Sequence, residues 1–522
     1  MSEPTQASQQ FNRDVRFSLF TKTLYLLTRV ALPPLVLMHV SLADYGIWSI
    51  AFILISYLGL TATGFASVYV RLGAVAHRNA DPLGMSHLIS TGIACLGALS
   101  VVLMAGLWWA LPWTLEWLNV APAQRDTART LVLGCSAVFL TDITLGAYAY
   151  LLHGVGRIRQ EQTIWTAAHL TELGTVVLLL NMGFGIEALL IAFAVRYTLS
   201  ISAAAWLMHK AIPELSLHPR HVNSTTLRLF LGEGLVVQGS ALLANALHSV
   251  DRVLAGWFMG SSAAALFELG NKLPSAALSI PSAVSGVALP AAARSHHAAE
   301  VLALYVRSTR LTGLLTALPM PFLALFSLPL CQFWLGNHPS VHTIATLMTM
   351  LTVAGHLHIL TGPGSSIFRG TGAVRNEYNY HGLRGVWLLA TVGVAWWSQS
   401  LNPVGLAAAL MVGGVGAALC YLMWNHRLLA GNFRGFGSTV LWPSLAGYPA
   451  AVAVGVLAHA GHLWPQGAAP RIELVTPLAL SGMAYLALAA ATLWLAVLHP
   501  HEKQRVIALF RPFFSPTLAT KA

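Results

Sequence analysis

Residues 153–162 read HGVGRIRQEQ, and residues 369–378 read RGTGAVRNEY. Gly154, Gly156, Arg159 and Glu161 stand at an offset of 216 from Gly370, Gly372, Arg375 and Glu377. Ile158 and Val374 agree in type, as do Gln160 and Asn376. A phosphate cradle needs a strand before the glycines and a helix N-terminus after them. Here each pair follows an apolar run of helix length. The glycines are therefore expected to end a helix and turn the chain. Arg159 and Arg375 then sit at the level of the lipid headgroups, and a direct grip on a substrate headgroup stays open as the other reading.

The composition requires that environment. Of 522 residues, 56% are hydrophobic and only 9% are charged, with a mean hydropathy of +0.66. Soluble domains carry about 25% charged residues, so a soluble chain of this size could not cover its surface. The net charge of +11 comes from short basic loops on alternate sides, which is a topology signal and excludes nucleic acid as a partner. The N-terminus is polar and then basic, so no removable signal peptide is expected. Cys95, Cys135, Cys331 and Cys420 show no paired spacing, and no zinc site, disulfide framework or other metal site is expected.

Apolar stretches of roughly 18–28 residues can cross a bilayer, and fourteen such stretches are centred near residues 30, 58, 100, 140, 173, 197, 240, 276, 317, 355, 390, 414, 450 and 485. The first is interrupted by Lys22, Arg29 and the Pro33-Pro34 pair. One set of connections holds nearly all of the Lys and Arg, whereas the opposite set holds only Arg125, Arg129 and Arg471. That asymmetry places both termini in the cytoplasm. Six spans separate the two glycine segments, which gives them one orientation and marks a parallel repeat. The expected fold is an all-α polytopic membrane protein of about fourteen transmembrane helices: two six-helix lobes plus two C-terminal helices. The lobes are drawn at 1–210 (spans one to six) and 211–430 (spans seven to twelve). Spans thirteen and fourteen follow at 431–498, and 499–522 form a basic cytoplasmic tail, either a short amphipathic surface helix or disordered.

Three stretches carry a family resemblance. LADYGIWSIAFILISYLGLTATGFASVYVR, with Asp44, Tyr45 and Gly46, resembles a second span. HSVDRVLAGWFMGSSAAALFELGNKL, with Asp251, Arg252, Gly256, Gly260 and Lys272, resembles a seventh-to-eighth span junction. The two G-x-G segments resemble the loops after spans four and ten. Together with the layout they resemble the Wzx-type lipid-linked oligosaccharide flippases (polysaccharide transporters) of the multidrug/oligosaccharidyl-lipid/polysaccharide exporter superfamily. Two departures stand out. The start of the eighth span reads Ala265-Leu266-Phe267, without the usual small residues and tyrosine. The first span has Thr28-Arg29-Val30 but lacks the glycine- and arginine-containing signature of the peptidoglycan lipid flippases, which argues against that cargo.

An ionisable residue inside a span costs roughly 2.5–3.5 kcal/mol on insertion scales, so each needs a partner or a wet cavity. Arg29, Lys272, Arg196 and Arg252 are the candidates for substrate binding in a cationic lumen. Asp142, Glu172 and Glu268 are the candidates for ion coupling. Arg29 has no acidic residue within four positions, so it faces the lumen or pairs with another helix, with Asp142 and Glu172 as the acids in question. Glu268 and Lys272 share a helix face at i and i+4, and Pro274 and Pro281 would kink that span. Asp251 and Arg252 are adjacent and point about 100° apart. No histidine pair has metal-ligand spacing.

The resemblance implies a transporter and not an enzyme. The cargo it implies is a polyprenyl-pyrophosphate-linked oligosaccharide, moved from the cytoplasmic to the outer leaflet of a bacterial inner membrane by alternating access through a cationic central cavity. Its expected partners are that lipid-linked glycan, the bilayer and polysaccharide polymerase or assembly proteins. The transport unit is expected to be a monomer with no cofactor; no connection exceeds about 20 residues and no Walker motif is present, so ATP-driven pumping by this chain alone is not expected. Two alternatives remain. One is a cation-coupled multidrug exporter of the same superfamily, using Asp142 and Glu172. The other is a membrane glycan polymerase or ligase, for which the outward loops offer only Glu116, Asp126 and Arg125.

Overall fold

The computed structural model describes residues 6–60, 63–231, 247, 249–293, 297–373, 375–431, 433–465, 470–500, 502–504 and 507. Among the described residues every regular element is a helix. This is what hydrocarbon demands, because an isolated helix satisfies its own backbone polar groups. Nine helical stretches are long and apolar enough to cross a membrane among the described residues. Their outward faces carry large apolar side chains left exposed by the protein, such as Val101 at 70% and Leu495 at 78%. The chain is a multi-pass membrane protein.

Two compact units divide the chain, the first comprising Met1–Leu269 with Leu401–Pro403 and the second the remainder. The first holds α1 (Gln6–Leu37), α2 (Leu42–Leu60), α3 (Thr63–Arg78), α4 (Pro82–Trp117), α5 (Arg125–Leu145), α6 (Ala147–Gly154), α7 (Ile158–Asn181), α8 (Glu187–Ala211) and α9 (Val250–Met259). Helix α10 (Ser261–Ala293) runs through the boundary at Leu269. Helix α1 continues through Pro33 and Pro34. The run expected near residue 240 falls mostly on residues 232–246, outside the described residues. So do residues 508–522 of the expected basic tail.

The contact boundary at Leu269 lies well beyond the lobe boundary drawn at 210, and residues 216–223 show a reason. This segment is stitched to the start of α4 by hydroxyls on one helix face. Ser216 N donates to Ser86 Oγ (3.1 Å), His218 N to Ser90 Oγ (3.3 Å) and Asn223 N to Thr91 Oγ1 (3.0 Å). Those three hydroxyl residues are buried, so the segment behaves as part of the first unit. Beneath it Phe65, Tyr69, Met85, Ile89, Leu151 and Phe230 form a packed core.

At the other end of this unit, α2 opens on the Asp44-Tyr45-Gly46 triplet. Ser41 Oγ accepts from the Asp44 amide (3.1 Å) and donates to Asp44 Oδ2 (2.6 Å), capping the helix. Gln124 Nε2 donates to Asp44 Oδ1 at 3.0 Å. Gly46 lets the α2 backbone approach the start of α10, since any side chain there would run into the Ser261 carbonyl.

The second unit adds α11 (Ala298–Thr316), α12 (Pro319–Leu325), α13 (Ser327–Leu335), α14 (Val341–Ile359), α15 (Gly362–Gly370), α16 (Arg375–Trp397), α17 (Pro403–Ala430), α18 (Trp442–Leu445), α19 (Gly447–Ala460) and α20 (Arg471–Thr492). The offset of 216 reappears in these bounds. Arg125 and Val341 open α5 and α14, Gly154 and Gly370 close α6 and α15, and Glu187 and Pro403 open α8 and α17. Both long helices break before the glycine turn, at Gly146 and at Leu360-Thr361.

The segment after α20 is held by Arg310 on α11. Its Nε and Nη2 donate to Glu502 Oε1 (2.8 Å) and Oε2 (3.0 Å), and Nη2 also donates to the Val497 carbonyl (2.5 Å). Burial opposes ionisation of Glu502, but the Arg310 hydrogen bonds and the His499 amide outweigh it and hold the carboxyl below its ordinary value of 4.5. A depressed carboxylate contributes stability above its unfolded-state pKa and loses it as pH falls through the folded-state pKa. The segment around Glu502 should therefore stay protease-resistant at neutral pH and become cleavable as the pH drops below about 4.5. Glu502→Gln should make it cleavable at both pH values, and retained acid resistance in the wild type would refute the clamp. Gly46→Val should lower stability in detergent by at least about 2 kcal/mol, read as a loss of thermal midpoint.

Candidate functional site

Arg29 lies mid-way along the apolar part of α1, and only a partner on another helix can hold its charge there. The partner is Glu172 on α7. Arg29 Nη2 donates to Glu172 Oε2 at 2.7 Å, and Arg196 Nη1 from α8 reaches the same oxygen at 3.2 Å. Glu172 and Arg196 are buried, at 5% and 6% exposure. Two guanidiniums thus share one carboxylate, an excess of one positive charge among directly bonded groups. Arg29 Nε is buried and has no hydrogen-bond partner.

His169 completes this group, and sequence reasoning passed it over. Its Nδ1 faces the Trp165 carbonyl at 2.7 Å. A carbonyl only accepts, so Nδ1 carries the proton and Nε2 is free to accept from Arg196 Nη1 at 3.2 Å. The signal was present in the spacing, because His169 and Glu172 are three apart on one helix face. Aromatic faces line the cations: Tyr25 lies 5.2 Å from the Arg29 guanidinium, Tyr197 4.1 Å and Phe193 4.7 Å from that of Arg196. Of the acids weighed for Arg29, the structure selects Glu172. Asp142 on α5 is half-buried and within electrostatic reach of Arg196.

A second charged group sits where α9 meets α10. Arg252 Nη1 donates to Glu268 Oε2 at 2.6 Å and Nη2 to Ser249 Oγ at 3.1 Å. Asp251 Oδ1 lies 3.6 Å from Arg252 Nε, so side-chain reach closes the angle that separates neighbours on the backbone. Glu268 therefore serves a neighbouring helix, and Lys272 stands one turn further along α10, half-buried. Tyr45, 3% exposed, is within electrostatic reach of Arg29 and of Arg252 and Glu268, which links the two groups.

The glycine turns are structurally alike. Gly156 and Gly372 have φ of +78° and +80°, a left-handed conformation open to glycine and strained for other residues. Each turn is bridged to the same glutamate position. His153 Nε2 lies 3.5 Å from Glu161 Oε2, and Arg369 Nη2 lies 2.6 Å from Glu377 Oε1. Arg159 and Arg375 are exposed beyond the turns. The second unit also holds a buried neutral network, in which His356 Nε2 meets Ser444 Oγ at 2.5 Å and Nδ1 meets Tyr448 Oη at 3.1 Å. Among the described residues no group of three or more His, Cys, Asp or Glu is arranged to hold a metal ion.

Three solved structures share this fold. The lipid II flippase MurJ in an inward closed conformation aligns with a TM-score of 0.67 at 12% identity, covering 92% of this chain and 98% of that one. An inward-facing multidrug resistance MATE family transporter of the MOP superfamily aligns at 0.63 with 16% identity, covering 78% and 95%. A MOP superfamily transporter from Pyrococcus furiosus, described as having a binding pocket of reversed polarity, aligns at 0.51 with 16% identity, covering 80% and 94%. At these identities the likeness is one of fold. No curated protein matches the sequence significantly. A sequence profile described as "Polysaccharide biosynthesis protein" matches residues 40–340, more than half of the chain. The chain has the fold of the membrane flippases and exporters and belongs to the polysaccharide biosynthesis protein family.

Proposed function

We propose that the protein flips a polyprenyl-pyrophosphate-linked oligosaccharide from the cytoplasmic to the outer leaflet of a bacterial inner membrane. Fourteen spans, two six-helix lobes and cytoplasmic termini are part of this reading. The observation that carries it is the buried Arg29–Glu172–Arg196 group, with its excess positive charge and the unpartnered Nε of Arg29. A multiply charged diphosphate head must cross a low-dielectric core. Fixed guanidiniums replace part of its hydration and match phosphate oxygens with paired N–H donors. Lys272 extends the cationic path, beside an Arg252 whose charge is held by Glu268 and Asp251, and alternating access exposes the path to each side in turn. An inside-negative potential favours outward movement of an anion by about 2.3 kcal/mol per charge per 100 mV. Asp142, Glu172 and Glu268 are the groups positioned to take up a coupling ion. Polysaccharide polymerase and assembly proteins are the partners that receive the flipped product.

Arg29→Ala leaves Glu172 balanced by Arg196. It should insert normally and lose export. Lys272→Ala should behave alike. Normal export by both variants at equal protein level would overturn the cationic path. Glu172→Gln strands two buried guanidiniums, and it should destabilise the protein by about 3–5 kcal/mol, seen as low abundance or a lowered thermal midpoint. In a strain lacking the gene, extraction should recover accumulated polyprenyl diphosphate oligosaccharide, cleared when the gene is restored. An unchanged lipid pool with raised drug sensitivity would instead favour a drug exporter acting through Asp142 and Glu172.

A further inference from the structure

In the second unit, a cavity of about 600 Å³ opens among α12–α14, α19 and the loop after α19. Its wall combines Gln332, Asn337, His338, His342, His459 and Trp464 with leucine, phenylalanine and proline. A smaller hollow of about 230 Å³ shares Leu328 and His342 with it and adds Ser327, Thr346 and Thr349. Ser327 Oγ and Thr349 Oγ1 bond each other at 2.8 Å, which leaves both hydroxyls oriented. No Asp, Glu, Lys or Arg lines either hollow among the described residues. Arg471 packs its guanidinium against Gly336 beside the loop.

A groove that merely holds lipid chains looks different. The cavity along α5 and α8, lined by Gly134, Val138, Leu190, Ile191, Val195 and Leu199 among others, is nearly all apolar. The α12–α14 cavity instead offers amides, imidazoles and hydroxyls around an indole that leans on Phe326 at 6.3 Å between ring centroids. Burial holds His338 toward its neutral form. Uncharged donors and acceptors beside an aromatic face suit a ligand rich in hydroxyls with apolar C–H faces. They do not suit a phosphate, which calls for cations. The volume lies within the roughly 300–1,000 Å³ range of small-molecule sites.

We propose that this cavity binds one or more rings of a neutral saccharide. The inference rests on the export reading for its biological source: with both termini in the cytoplasm, as that reading has them, the cavity lies on the outer side, where it would hold the sugar portion of the cargo after the diphosphate head has crossed.

The test applies the purified full-length protein to an array of neutral and acidic oligosaccharides and titrates whatever is retained. At least one neutral glycan should be retained. A Gln332→Ala/His459→Ala variant should bind it about tenfold more weakly, the loss expected from two hydrogen bonds. Trp464→Ala should match that loss and Trp464→Phe should restore most of the binding, because a ring is kept. Retention of acidic glycans only, retention unchanged in the cavity variants, or no retention by monodisperse wild-type protein would each overturn the proposal. Lipid-linked glycan accumulating in the deletion strain without retention on the array would overturn the cavity and leave export standing. Retention without accumulation would do the reverse.

Discussion

Two guanidiniums drawn to one buried carboxylate set the terms for the rest of the first unit. Arg29, Glu172 and Arg196 come from α1, α7 and α8, which are far apart in sequence, and each would be costly alone in hydrocarbon. Glu172 makes both arginines tolerable and cannot neutralise both. The aromatic faces of Tyr25, Phe193 and Tyr197 and the imidazole of His169 share the remainder of the positive charge. None of these is an anion, so the excess persists among the directly bonded groups, with Asp142 the further acid within electrostatic reach of Arg196. Buried ion pairs seldom add net stability over apolar packing. An unbalanced one is poorer still as a structural device, and this is the physical basis of the binding role proposed for it.

The contrast with Arg310 and Arg369 sharpens this. Arg310 finds both oxygens of Glu502 and a main-chain carbonyl, and Arg369 finds Glu377. Each has a carboxylate partner outside the shared group, at the end of a helix, where it ties down a chain segment. Arg29 differs in sharing its acid and in keeping an N–H without a partner inside the protein. Membership of one residue type therefore says little about role; the count of acceptors around each guanidinium says more.

Much of the fold was legible because a bilayer imposes two simple rules, helix length and apolar composition, that a sequence states openly. The G-x-G segments were legible as turns for the same kind of reason. Only glycine takes the +78° and +80° backbone at Gly156 and Gly372 without strain. The site was legible only as a set of charges. Nothing local distinguishes Glu172 from Asp142 as the partner of Arg29, because that choice is made by which faces of α1, α5, α7 and α8 meet. His169 was hidden for a related reason, as was the place of Tyr45 between the two charged groups. A histidine or tyrosine in a span reads as ordinary packing until its neighbours are known. The docking of residues 216–223 was hidden in Ser86, Ser90 and Thr91, hydroxyls that look like small helix residues and in fact hold a loop.

The proposed cargo is an amphiphile with chemically distinct parts, and the two units differ in the chemistry they offer to it. The first supplies fixed, unbalanced positive charge in a buried setting. The second supplies neutral hydrogen-bonding walls, in the His356–Ser444–Tyr448 network and around Gln332, His342 and Trp464. A hydrophobic organic cation would gain little from either, since guanidiniums repel it and amides compete poorly with water for it. A diphosphate joined to a sugar gains from both, because phosphate oxygens match arginine and hydroxyls match amide and imidazole. A lipid tail needs no site at all, since the exposed leucine and valine faces already meet the bilayer. The division of charge and neutral polarity within one chain is thus the physical ground on which the proposed lipid-linked glycan cargo rests.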